Sequence, residues 1–191
     1  MTFELDLAPE AEADIDDILE WSTTQFGAAI RDGYEALIDA AILSIVDDPN
    51  RAGSHDRTDL GHGVRSLHLI SSRDEVSQGV RRIANPRHFV IYRQVGNLVQ
   101  VIRLLHEAMN LRAHVMSSPG WARIQEDANE RARAIFREVN ERMTGQPVDD
   151  VLAELVAKIS AAGFEPNRES LREHALSISK DLDDMIGGAF R

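Results

Sequence analysis

Of the arginines between residues 65 and 106, six are candidates to hold an anion: Arg65, Arg81, Arg82, Arg87, Arg93 and Arg103. The same stretch holds His68, His88, His106 and Tyr92. Guanidinium forks match carboxylates and phosphates geometrically, and an imidazole can take or give a proton near neutral pH. Cleaving an RNA phosphodiester with such a set would need a base for the 2'-hydroxyl, an acid for the leaving oxygen and cations for the developing phosphorane charge. The bland assignment, strand-surface and capping residues in a protein that binds without catalysing, is preferred. His55, His62 and His68 with Asp56 and Asp59 are spaced irregularly along a loop, so they read as exposed loop residues, not as a metal site. Gly61-His62-Gly63 lacks the strand-loop-helix setting of a phosphate cradle, and the acidic run Glu10 to Asp17 reads as a solvated helix face. No metal and no cofactor is expected.

Composition narrows the field further. The 191 residues are 43% apolar, enough for one large domain or two small ones. Cysteine is absent, which excludes disulfides, thiol catalysis and cysteine-ligated metals. The N-terminus alternates acidic and apolar residues and does not resemble a signal peptide. No apolar run approaches the ~20 residues of a membrane helix, so a cytoplasmic protein without membrane contact is expected. The net charge is -11 but unevenly spread: residues 1–20 hold eight acids and no base, whereas residues 21–115 hold eleven arginines, no lysine and ten acids. An arginine-only, nearly neutral middle suits recognition of carboxylates or phosphates, or an ordinary arginine-rich surface.

The elements that would position these side chains follow from periodicity. Phe3, Leu5 and Leu7 alternate with Thr2, Glu4 and Asp6, predicting a short strand. Pro9 opens a helix whose apolar stripe is Ala11, Ile15, Ile18, Leu19, Ser22 and Phe26, ending at Gly27. A second helix carries Ile30, Tyr34, Leu37, Ile38, Ala41, Ile42 and Ile45 on one face and stops at Asp48-Pro49-Asn50. The two form a helical hairpin. A loop to Gly63 then leads into strands Val64–Ile70, Phe89–Arg93 and Leu98–Leu105, the last two joined by a turn at Gly96-Asn97. Between the first two of these lies a polar loop, Ser71 to Arg87. The fold predicted for residues 1–115 is α+β, in the order β-α-α-β-β-β, a helical hairpin packed on one face of a small antiparallel sheet. Residues 117–191 read as a three-helix region. Its helices start at Ser118-Pro119, at Pro147 and at a Ser170/Glu173 capping box, and their stripes include Trp121, Phe136, Leu155, Leu171, Leu182, Met185 and Ile186. At least one of these helices is expected to cover part of the first domain, because apolar stripes that wide are seldom left in water.

Several segments together resemble the ParE/RelE superfamily of toxins: Asp48-Pro49, Arg51-Ala52-Gly53-Ser54, Arg57-Thr58-Asp59-Leu60 and Gly63-Val64-Arg65-Ser66-Leu67-His68. The likeness continues through Pro86-Arg87-His88-Phe89-Val90-Ile91-Tyr92-Arg93 and Ile102-Arg103-Leu104-Leu105-His106-Glu107-Ala108-Met109-Asn110-Leu111. The chain departs from the family in having Asn110 where Asp is usual and in continuing past the last strand. The resemblance implies a type II toxin-antitoxin module, in which a small antitoxin with a DNA-binding ribbon-helix-helix head lays a helical tail on the toxin. ParE members poison DNA gyrase by binding it; RelE relatives cut mRNA on the ribosome. The ParE-like, non-catalytic role is the preferred expectation, with contact to nucleic acid only through target or antitoxin. The residues expected to meet target or antitoxin are Arg65, His68, Arg87, Tyr92, Arg93, Arg103 and His106. A ribonuclease would instead use His106, Arg65 and Arg93. A degenerate toxin domain kept as a binding module is the third possibility.

Overall fold

The computed structural model describes residues 3–61, 63–164 and 166–180. Thr2, His62, Leu182, Met185 and Ile186, all used in the expectations above, lie outside the described residues. The chain divides into two compact units, Met1–Arg123 and Ile124–Arg191. No helix among the described residues is long and apolar enough to cross a membrane.

The first unit begins with strand β1 (Glu4–Leu7), then helices α1 (Pro9–Phe26) and α2 (Ala28–Asp47). Pro9 occupies the first turn of α1 with Glu10 and Glu12, where a missing N–H costs nothing and acids meet the helix's positive end. Gly27, at φ 84°, joins the helices without an intervening loop, and the pair packs as the expected hairpin. Strands β2 (Ser54–Asp56), β3 (Val64–His68), β4 (His88–Val95) and β5 (Leu98–His106) complete a five-stranded sheet in the order β1-β5-β4-β3-β2.

Three features of the sheet depart from the sequence reading. β2 falls in the stretch read as loop and pairs antiparallel with β3, Ser54 opposite Leu67; three residues are too few to show a period. β3 ends at His68 and gives way to a 3-10 turn, Leu69–Ser72. The sheet is also mixed, because β1 runs parallel to β5, Glu4 opposite Leu98 and Leu7 opposite Val101. An amphipathic strand shows its period but not its direction. The hairpin β4–β5 is antiparallel, with a bulge near Ile91/Tyr92 that places an extra residue on one strand and kinks it.

The main core lies between the helical hairpin and one sheet face. Leu37, Ile38, Ala41 and Ile45 of α2 pack with Leu67, Val90, Tyr92, Val99, Val101 and Leu104. Ile18, Leu19, Ile38 and Ile42 are buried, as their stripe requires, while Ile15 is only partly covered. Phe26 corrects the stripe: at the last turn of α1 it is 61% exposed, because the helix runs past the sheet it packs against.

After β5 come α3 (Leu111–Met116) and α4 (Pro119–Met143). Asn110 caps α3, its Oδ1 accepting the Ala113 N–H at 3.1 Å, so Asn does there what Asp would do. Ser118 caps α4, its Oγ accepting the Trp121 N–H at 3.2 Å. The second unit holds the rest of α4 with α5 (Val148–Ala161) and α6 (Arg168–Lys180), around Val139, Val151, Leu155, Ile159, Leu171, Ala175 and Ile178. Its third cap differs from expectation: Asn167, not Ser170, accepts from the N–H groups of Glu169 and Ser170 at 3.1 and 3.2 Å. An Asn three residues earlier satisfies the first-turn amides, so the helix starts before the capping box could form.

Candidate functional site

The seven residues expected to meet a partner do not converge; the sheet distributes them to three places. At the β2 edge, Arg65 donates from Nε to Ser54 Oγ at 2.7 Å and pairs with Asp56. The Tyr92 hydroxyl lies 2.6 Å from the same Ser54 Oγ and donates to the Pro49 carbonyl at 2.6 Å. Tyr92 is fully buried and Arg93 is 6% exposed, so neither offers a surface to a partner. Period 2 assigns a residue to a face but not the depth to which that face is covered.

Arg103 is held elsewhere. β1 stops pairing at Leu7 opposite Val101, which leaves the edge of β5 open beyond that point. Asp14 of α1 fills the gap: its Oδ2 accepts the Leu104 N–H at 2.9 Å, and its carboxylate takes Arg103 Nε and Nη2 at 2.7 and 2.8 Å. The bidentate pair raises the Arg103 pKa above its ordinary value and fixes α1 to the sheet. Arg103 is a structural tie.

His68, Arg87 and His106 do meet, where β3 ends, β4 begins and β5 ends. The organiser is Glu107, which sequence reading passed over. Its Oε1 accepts from Arg87 Nε at 2.6 Å and its Oε2 lies 3.3 Å from His68 Nε2; Arg87 and then His68 hold its carboxyl below the ordinary range. Backbone amides claim the other side of two rings, Ile70 N–H on His68 Nδ1 and Ala108 N–H on His106 Nδ1, both at 3.1 Å. A nitrogen that accepts a hydrogen bond carries no proton, so the neutral rings carry theirs on Nε2. His88 sits opposite His106 in register, ring centroids 5.1 Å apart. Its Nδ1 is 3.2 Å from the Tyr34 hydroxyl, which itself accepts the Arg87 N–H at 3.3 Å. Burial, then the neighbouring His106 and His68, push His88 down to about 4. His88 is therefore neutral at pH 7.

Beside this cluster the tip of the helical hairpin and the loop before β4 enclose a cleft of about 580 Å³. Trp21, Phe26, Ile30, Tyr34, Ile83 and Met109 form most of its apolar lining; Arg81, Arg82, Asn85, Arg87, His88 and His106 supply the polar part, and no carboxylate lines it. Trp21 and Phe26 meet edge to face at 5.4 Å yet are 55% and 61% exposed. Their exposure follows from α1 overrunning the sheet. Gly33 lets the loop close onto α2: a Cβ there would lie 2.2 Å from the Arg81 carbonyl oxygen. The sequence held one cue to this surface, since Trp21 falls off the buried stripe of α1 and has no partner on it. His55, Asp56 and Asp59 belong to a separate edge, and among the described residues no group of His, Cys, Asp and Glu could hold a metal ion.

This geometry, an apolar cleft with exposed aromatic anchors and a cationic rim, suits the binding of an apolar segment that carries acidic side chains. Comparison with known proteins gives it a context. The family model described as "ParE toxin of type II toxin-antitoxin system, parDE" matches residues 5–111. Toxin ParE1 of Caulobacter vibrioides is 33% identical over 109 residues, which span 57% of this chain and 94% of that relative.

Proposed function

The chain belongs to the ParE toxin family of type II toxin-antitoxin systems, and from that membership we propose that it acts by binding DNA gyrase and is silenced by a cognate antitoxin of the ribbon-helix-helix type. The observation that carries this reading is the cleft lined by Trp21, Phe26 and Met109 and rimmed by Arg81, Arg82 and Arg87. Exposed aromatic residues beside arginines are the side chains that dominate protein–protein binding energies. Support also comes from the state of the proton-bearing groups. His68 is committed on both ring nitrogens, Tyr34 bridges His88 and Arg87, and His88 is neutral and largely buried. Groups locked in this way position one another and are poorly placed to exchange protons with a substrate.

The test separates the readings directly. Induced expression should arrest growth with DNA-damage signalling while translation continues, and the purified protein should inhibit gyrase supercoiling and leave ribosome-bound mRNA intact. His106→Ala should leave ribosome-bound mRNA as intact as the parent does. Cleavage of ribosome-bound mRNA that disappears in His106→Ala would assign the ribonuclease role instead, and normal growth with neither effect would leave a binding module.

A further inference from the structure

The helical hairpin covers one face of the sheet. On that face lie Val90, Tyr92, Val99, Val101 and Leu104. Residues of opposite parity point the other way, and Val64, Ile91 and Leu105 among them are 0–1% exposed without belonging to the hairpin core. Leu60, Val115 and Trp121 are buried outside that core as well. The segment that follows β5 is tied to this side of the unit. α3 contacts β5, and Arg103 Nη1 donates to the His114 carbonyl at 3.2 Å.

Two glycines mark where the segment docks. Gly61, at φ +137°, lies under Trp121; a Cβ there would be 2.6 Å from the indole and 3.5 Å from Val64 Cγ2. Gly120 brings its N–H to Glu10 Oε1 at 2.9 Å, and a Cβ on it would be 2.6 Å from Glu10 Oε2. At Gly61 the positive φ and the overlying indole both call for glycine, whereas at Gly120 a methyl would push aside the tip of the Glu10 side chain. Val115, Gly120 and Trp121 all follow residue 111, where the family match ends. A chain stopping there would leave the apolar spot at Gly61 and Val64 without the Trp121 indole that lies over it.

We propose that residues 112–121 are a cover supplied in cis, occupying on the second sheet face a docking surface for a helix that presents a large aromatic residue in its first turn. The surface has two parts: an apolar pocket at Gly61 and Val64 for the indole, and the Glu10 carboxylate for a first-turn amide N–H. A helix from another polypeptide reaches this face only by displacing the cover. The inference rests on the geometry of the first unit and is independent of the gyrase reading.

A tethered segment competes at an effective concentration on the order of millimolar, so a micromolar peptide cannot displace it unless it is weakened. The probe is a fluorescein-labelled peptide of residues 110–124, titrated by anisotropy against the full chain and against Trp121→Ala and Gly120→Ala. Circular dichroism and urea midpoints confirm that each variant is folded. Both variants should bind the peptide saturably, roughly tenfold or more tighter than the parent, and a peptide with Ala in place of its own Trp should not bind. Gly120→Ala carries the test alone if Trp121→Ala does not fold, because its methyl meets only Glu10 and, at 3.2 Å, Ala8 Cβ, and leaves the indole in place. No saturable binding to a folded variant would overturn the proposal. So would equal binding by the parent, or a parent chain that sediments as a dimer and becomes a monomer in either variant, since the cover would then be exchanged between copies.

Discussion

At the scale of single residues, the chain spends its reactive-looking side chains on holding its fold. Tyr92 stands next to Arg93 in β4, yet its hydroxyl joins β4 to the Pro49 carbonyl and, through Ser54, to Arg65. Burial raises its pKa, as befits a phenol kept neutral in a core. Tyr92→Phe should cost about 0.5–1.5 kcal/mol in urea unfolding, the net worth of one hydrogen bond, because the Ser54 hydroxyl still donates to the Pro49 carbonyl at 3.3 Å, and should leave partner binding unchanged once folded. His88 gives a pH dependence. Its folded pKa of about 4 lies below the ordinary 6.5, so between those values the unfolded chain binds the proton and the folded chain does not. Stability should then fall as pH drops from about 6.5 toward 4. His88→Gln should flatten the difference between urea midpoints measured at pH 7 and pH 5; an unchanged difference would mean that other groups carry it.

At the scale of elements, the cleft exists because two segments that pack elsewhere come close at one point. α1 extends beyond the sheet and leaves Trp21 and Phe26 in solvent, and α2 admits the Arg81–Ile83 loop at Gly33, whose Cβ would also lie 3.0 Å from Ile83 Cδ1. In an exposed helix, Gly to Ala gains up to about 1 kcal/mol. Here the sign should reverse, because the new methyl meets backbone that cannot yield without moving the loop. Gly33→Ala should cost about 1–3 kcal/mol and weaken partner binding, since Arg81 and Ile83 line the cleft. A stabilised variant with unaltered affinity would show that the loop moves freely and does not shape the site.

At the scale of the whole molecule, charge is arranged against the average. The chain carries a net charge of -11, yet three arginines rim the cleft and no carboxylate lines it; Arg82 pairs with Asp74 and Arg87 with Glu107 just outside it, which leaves Arg81 to supply most of the positive field. An acidic segment would be steered to that spot while the remaining surface repels it. Association with the antitoxin should slow as salt rises, and Arg81→Glu with Arg82→Glu should lower the association rate and flatten the salt dependence with little change in stability. A rate insensitive to both would place the partner elsewhere on the surface.

Local patterning was enough to define the hairpin, the strands β1, β3, β4 and β5, and the helical character of the C-terminal region. Apolar spacing of 3.6 or 2, Pro9 at a helix start and Gly96 in a tight turn each act within a few residues. The family was legible too, from short segments in order along residues 48 to 111. Tertiary structure decided what depends on contacts between distant residues. The parallel pairing of β1 with β5 and the capture of Arg103 by Asp14 both join residues about ninety positions apart, for which no local signal exists. The burial of Tyr92 and the exposure of Phe26 depend on how far a neighbouring element extends. Glu107 gathers Arg87 and His68 only because three strands end together, and Gly61 accepts Trp121 only because the chain returns across the sheet after β5. Periodicity shows which face a side chain takes; what lies against that face is settled when the chain closes on itself.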